Sequence, residues 1–212
     1  MRYERKFRLE EHTYEEAWQL IHLHRASFRR TFPDRHINSL YLDTSNFEYF
    51  QDNIAGISKR IKQRIRWYGS LVHAQNPVLE IKLKENALGT KKKLKVPDFK
   101  LDGSFNYSTF MKNHLWLAST NVTPTVLVRY TRSYFLSFNK RIRLTIDREQ
   151  CYYSCNNTTR LQLPPVQDKS LIIELKYEQE NDADVDSFTQ ELPFRMTRNS
   201  KYVQAMLACY QT

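Results

Sequence analysis

One stretch limits the possible folds of this chain more than any other. Residues 58–68 read Ser58-Lys59-Arg60-Ile61-Lys62-Gln63-Arg64-Ile65-Arg66-Trp67-Tyr68 and lie between Gly56 and Gly69. Even positions carry Arg60, Lys62, Arg64, Arg66 and Tyr68; odd positions carry Ile61, Ile65 and Trp67, with Gln63 among them. Side chains alternate between the faces of a strand, so one face is a row of cations and the other is largely apolar. Two architectures accommodate that alternation. In a half-exposed sheet the charges stand in water. In a closed or nearly closed barrel the apolar faces turn outward beneath helices, and the cations line a site for a polyanion. The second requires a partner for the enclosed charge, because crowding like charges away from water is costly.

Charge balance narrows the partners. Lys+Arg total 33 against 23 Asp+Glu, a formal +10, which favours nucleic acid, polyphosphate, a nucleotide or a membrane surface. Only 4 glycines, with neither a Walker-type nor a Rossmann-type pattern, argue against a glycine-rich phosphate loop. Hydrophobic content of 41% over 212 residues predicts one globular domain, residues 1–212, with a substantial core. No apolar run approaches a membrane span, and the start, Met1-Arg2-Tyr3-Glu4-Arg5-Lys6, has no signal-peptide core. Cys151, Cys155 and Cys209 form no zinc or disulfide framework, so the expectation is a cytoplasmic protein with reduced thiols.

Periodicity then places the elements. Residues 2–9 alternate and predict a strand. Thr13 with Glu16 forms a capping-box pattern for a helix ending before Pro33. Strands are predicted over 36–42, 58–68, 78–85, 91–96, 125–136, 140–147 and 170–177, with turns at Leu88-Gly89-Thr90 and Asn139-Lys140. Asn76-Pro77 reads as loop, as does 156–167. Phe47, Phe50 and Ile54 suit a short helix, residues 107–117 another, and the acidic run 182–186 a third. A closing helix follows Asn199-Ser200, with Val203, Met206, Leu207 and Tyr210 as its apolar stripe. The fold class is α+β, antiparallel-rich, with about eight strands.

Glu-x-Lys recurs on three of these strands, as Glu4-Arg5-Lys6, Glu80-Ile81-Lys82 and Glu174-Leu175-Lys176. Residues two apart share a face, so each Glu stands beside its Lys. This pattern and its flanks carry a family resemblance. Tyr3-Glu4-Arg5-Lys6-Phe7, Ser39-Leu40-Tyr41-Leu42-Asp43-Thr44, Arg64-Ile65-Arg66-Trp67-Tyr68-Gly69, Leu79-Glu80-Ile81-Lys82, Tyr130-Thr131-Arg132, Arg141-Ile142-Arg143-Leu144-Thr145-Ile146-Asp147, Ile173-Glu174-Leu175-Lys176 and Ser200-Lys201-Tyr202 follow one another in order. Together they resemble the VTC-type polyphosphate polymerase domain of the triphosphate tunnel metalloenzyme (CYTH-like) superfamily.

The resemblance implies an antiparallel eight-stranded tunnel β-barrel with helices packed outside. It also implies transfer of the ATP γ-phosphate to a growing polyphosphate chain with Mn²⁺ or Mg²⁺. Carried over by position, Lys6, Arg64, Arg66, Lys82, Arg132, Arg143, Lys176 and Lys201 bind phosphate. Arg64, Arg66 and Lys201 are the catalytic candidates. Glu174 is the metal ligand, with Glu4 and Glu80 as further candidates. Lys84, Lys92 and Lys93 are lumen or mouth cations whose orientation depends on register. The first Glu-x-Lys is shorter than the Glu-x-Glu-x-Lys of other tunnel enzymes, which argues against a multi-carboxylate two-metal site. Arg forks and Lys point charges suit phosphate oxygens, and a hard cation suits a carboxylate with phosphates and water. The rival readings are a tunnel triphosphatase acting on inorganic or nucleoside triphosphate, and a non-catalytic polyphosphate or nucleic-acid binder. Tyr68 and Tyr130 are too thin an aromatic pattern for a nucleic-acid reader. A membrane partner is left open.

Overall fold

In a computed structural model the described residues are 2–85, 88–112 and 121–210. In chain order the elements are β1 (Arg2–Leu9), α1 (Tyr14–Leu23), β2 (Arg29–Asp43), α2 (Glu48–Ala55), β3 (Arg60–Tyr68), β4 (Gln75–Glu85), β5 (Leu88–Lys95), α3 (Tyr107–Lys112), β6 (Thr123–Leu136), β7 (Arg143–Ser154), β8 (Val166–Asp168), β9 (Leu171–Glu178), α4 (Asp182–Gln190) and α5 (Lys201–Tyr210). The strands form one α+β sheet in the hydrogen-bonded order β1-β9-β7-β6-β2-β3-β4-β5, with β8 paired to β7. Eight strands make the path and the short β8 is a ninth. Among the described residues this hydrogen-bonded path is not closed.

The chain divides into two compact units, and β2, β6 and β7 each contribute to both. The first comprises residues 1–35, 130–150 and 168–199. There β1 pairs antiparallel with β9, and β9 with β7. The face bearing Phe7, Leu9, Leu144, Ile146, Ile173 and Leu175 is buried with Ala17 and Ile21 of α1 and Val185 of α4. Thr13 caps α1 as its spacing predicts: its hydroxyl accepts from the Glu16 amide, and the Glu16 carboxylate accepts from the Thr13 amide. Arg5, between Glu4 and Lys6, projects to this helix-bearing side and ion-pairs with Asp182 and Asp186 of α4.

The second unit comprises residues 36–129, 151–167 and 200–212. Its antiparallel pairs β2–β3, β3–β4 and β4–β5 bury Leu40, Ile65, Trp67, Leu79 and Ile81 with Tyr49 of α2 and Tyr107 of α3. Gln63, the polar member of the apolar row, is buried too and bonds the hydroxyls of Tyr49 and Tyr107. That satisfies an amide which would otherwise be costly in a core.

Several boundaries differ from the sequence reading. β2 begins at Arg29 and not at 36, because its exposed N-terminal half tolerates Pro33 and lacks the apolar alternation used to find strands. β4 begins at Gln75, so Asn76-Pro77 lies in the strand. The register slips between Arg66 and Tyr68, and this irregularity accommodates a proline with no N–H to give. Leu88, Gly89 and Thr90 pair with Glu85, Lys84 and Leu83 as the first residues of β5, not as a turn. β7 runs on to Ser154, while Lys140, with φ of 61°, belongs to the turn before it. β8 falls in the stretch read as loop. α5 buries Tyr202, Ala205 and Met206, so its stripe is rotated from Val203, Leu207 and Tyr210. Residues 113–117 of the expected third helix lie outside the described residues. No helix among the described residues is long and apolar enough to cross a membrane.

Candidate active site

Register decides which charges meet. In the second unit, Tyr41, Arg64, Glu80 and Lys93 are cross-strand neighbours on β2, β3, β4 and β5. The flanking rows bring Ser39 to Arg66, and Lys62 to Lys82 and Lys91. Every second residue of β3 from Arg60 to Arg66 therefore shares a face with Lys82, Lys84, Lys91, Lys93 and Lys95. Glu80 is the one carboxylate contributed to that face by β3, β4 or β5. Lys92 pairs with Ile81 and belongs to the other face. The alternation Lys91-x-Lys93-x-Lys95 carried this signal, but fixing it required the β4–β5 register.

Glu80 is the hub. One carboxylate oxygen accepts from Arg64 Nε at 2.9 Å and Nη2 at 2.7 Å and lies 3.8 Å from Arg66 Nη1. The other meets Lys91 Nζ at 2.6 Å. Burial alone would raise the pKa of this 7% exposed carboxyl, but Arg64, Lys91 and Arg66 overcome that and hold it at about 2. Arg64 also donates to the Tyr41 hydroxyl at 3.2 Å, and Arg66 to the Ser39 hydroxyl at 3.2 Å. Both guanidinium groups are thus oriented while their side chains stay 25% and 14% exposed, neither free in water nor sealed in a core. Lys82, Lys84, Lys93 and Lys95 have no ion pair or hydrogen bond among the described residues, which leaves a surplus of positive charge for an anion.

The residues on either side of Lys201 meet this face. Lys62 Nζ donates to the Ser200 hydroxyl at 2.9 Å, and the Tyr202 ring stacks on Tyr41 at 5.0 Å. The Tyr202 hydroxyl donates to Asp43. Asp43 also accepts from the amides of Thr44 at 2.7 Å, Tyr49 at 2.9 Å and Phe50 at 2.9 Å. A fully buried carboxylate therefore caps α2 and pins α5, fixing where Lys201 begins its helix. The sequence reads Asp43-Thr44-Ser45 as a turn or cap, and Asp43 does cap α2; its tie to Tyr202 has no local signal.

In the first unit Lys6, Glu174 and Thr145 are cross-strand neighbours, and so are Glu4, Lys176 and Arg143. Arg132 of β6 forms a two-pronged pair with fully buried Asp147, at 2.5 and 2.7 Å, and lies 3.6 Å from Glu174. Glu174 is also paired with Lys176, and Glu4 with Lys6 at 2.6 Å. Burial would raise the Glu174 pKa, yet Lys176, Arg132 and Lys6 drive it well below the usual carboxylate range, so it is ionised. Arg143 is exposed and has no ion pair among the described residues. It lines a small pocket with Lys140, Arg141 and Lys176, and with Glu178 and Glu180.

A metal fits this cluster only with help from a ligand. Among the described residues no group of three His, Cys, Asp or Glu side chains could hold an ion. Glu174 and Glu4 are neighbouring carboxylates, and an oxygen-seeking divalent cation bound by one or two carboxylates normally completes its shell with phosphates and water. Glu80 has both oxygens engaged by Arg64 and Lys91, so its place here is among cations.

A family model described as the VTC domain matches residues 1–210. The chain belongs to the VTC domain family. None of the curated proteins matches the sequence. Solved structures share the triphosphate tunnel (CYTH-like) fold of this VTC domain at low sequence identity. A putative adenylyl cyclase from Hippeastrum, described as having a dominant triphosphatase activity, is 15% identical over 97% of this chain and 95% of its own, with a TM-score of 0.54. A protein of Pyrococcus horikoshii OT3 is 11% identical over 96% and 95%, with a TM-score of 0.52. A putative adenylate cyclase from Vibrio parahaemolyticus is 10% identical over 94% and 95%, with a TM-score of 0.52.

Proposed function

We propose that this VTC domain is a polyphosphate polymerase that transfers the γ-phosphoryl group of ATP to a growing polyphosphate chain. The observation that carries the reading is the β3–β4–β5 face, where closely spaced Arg and Lys side chains surround Glu80, and Lys82, Lys84, Lys93 and Lys95 have no ion pair among the described residues. Such a surface suits a linear polyanion with a negative charge at each phosphate. Glu80, Tyr41 and Ser39 set the directions of Arg64 and Arg66 before any ligand arrives.

In the proposed step a terminal oxygen of the acceptor forms the new bond to Pγ. The bond from Pγ to the β,γ-bridging oxygen breaks, and its electron pair leaves on ADP. Little covalent help is needed, so catalysis rests on alignment and on neutralising the non-bridging oxygens. Arg64, Arg66 and Lys201 are assigned the transferring phosphoryl group. Lys6, Lys82, Arg132, Arg143 and Lys176 are assigned to other phosphates of donor or acceptor. Glu174, with Glu4 beside it, would hold Mn²⁺ or Mg²⁺, which when bound draws charge from the phosphate oxygens. Glu80 positions Arg64 and Arg66.

The test is an assay of the purified protein with ATP and Mn²⁺ that follows ADP and polymer together. Arg66→Ala and Glu174→Ala should each reduce turnover by about 100-fold or more while the fold survives. Orthophosphate in place of polymer would identify a triphosphatase, and salt-sensitive polyphosphate binding without turnover would identify a binder. Full activity in both variants would remove the site assignment.

A further inference from the structure

On β6, Tyr134 follows Arg132 by two residues, so the two share a strand face about 7 Å apart. The Tyr134 ring meets Phe32 of β2 edge to face, with centroids 5.8 Å apart and planes at 86°. The Arg35 guanidinium lies over both rings, 5.3 Å from Phe32 and 5.6 Å from Tyr134. Phe32 is 53% exposed and Arg35 is exposed as well, while Tyr134 is half-buried, so one ring and a cation open to solvent and a second ring backs them, two residues along β6 from Arg132. The core gains little from this group, because an exposed Phe forgoes much of its burial free energy.

We propose that Phe32, Arg35 and Tyr134 form a stacking platform for the purine base of a nucleoside triphosphate whose phosphates lie toward Arg132. This rests on the nucleotide-donor reading above and deepens it. Aromatic faces and guanidinium planes both stack on bases, and Arg35 adds a charge that favours the nearby phosphates. The spacing of about 7 Å along β6 suits a ligand that is flat and neutral at one end and anionic at the other. Inorganic polyphosphate has no flat end, so the platform distinguishes the nucleotide donor from the polymer.

The experiment compares binding of two ligands by calorimetry: adenosine β,γ-imidotriphosphate and inorganic tripolyphosphate. Phe32→Leu and Tyr134→Leu should each weaken the nucleotide analogue by about tenfold and leave tripolyphosphate within about a factor of two. Tripolyphosphate binding reports that each variant is folded, and the exposure of Phe32 makes its replacement the safer of the two. Parallel weakening of both ligands, or unchanged nucleotide affinity in the double variant, overturns the platform. Polymer formation is read separately. A wild-type protein that shows the ligand difference but forms no polymer refutes the polymerase and retains the platform.

Discussion

Replacing Glu80 by Gln keeps the shape of the side chain and removes the charge on which Arg64, Arg66 and Lys91 converge. The folded pKa of about 2, against an ordinary 4.5, corresponds to roughly 3 kcal/mol of charge-dependent stabilisation at neutral pH. Glu80→Gln should therefore unfold in urea with a stability lower by about 2–4 kcal/mol at neutral pH. The pH dependence identifies the cause. A carboxyl with a depressed folded pKa contributes its full stabilisation above the unfolded value of about 4.5 and loses it as pH falls toward about 2. The gap between wild type and variant should close over that window as the wild-type carboxylate takes up its proton. Added tripolyphosphate should also narrow the gap at neutral pH, because a bound polyanion replaces the missing negative charge. A loss that stayed constant from neutral pH to about pH 3 would refute the electrostatic reasoning and point to packing.

Two further outcomes follow from the same geometry. Asp43→Ala leaves two amides at the start of α2 and the Tyr202 hydroxyl without their acceptor, and should cost about 2–4 kcal/mol by thermal or urea unfolding. Tyr202→Phe should cost about 1 kcal/mol, since it removes the bond that ties α5 to that carboxylate while leaving the helix-capping amides their acceptor. Mn²⁺ should bind weakly to the protein alone and markedly more tightly with tripolyphosphate present, followed by electron paramagnetic resonance of the free ion. Glu174→Gln should abolish that enhancement. Equal Mn²⁺ affinity with and without tripolyphosphate would argue for an all-protein metal site that the described carboxylates do not form.

The amino-acid sequence by itself determined the strands and their faces. Period-two alternation is a local property, so Ile65 and Trp67 could be assigned to the core, and Arg64 and Arg66 to the opposite face, without knowing any partner strand. The Thr13–Glu16 cap was legible for the same reason. The ordered Glu-x-Lys, Arg-x-Arg and Ser-Lys-Tyr segments were enough to point to the VTC family. Tertiary structure decided what pairs with what. Lys91 and Lys93, not Lys92, join Arg64 because the β4–β5 register sets Glu80 against Lys93, and register depends on residues distant in sequence. Asn76-Pro77 read as loop because a proline cannot serve a regular ladder, yet an irregular pairing opposite Arg66 and Tyr68 makes room for it. Asp43 and Tyr202 are 159 positions apart, and no local pattern could show that one carboxylate serves both α2 and α5. The same holds for Phe32 and Tyr134, which became a platform only when β2 and β6 were brought together.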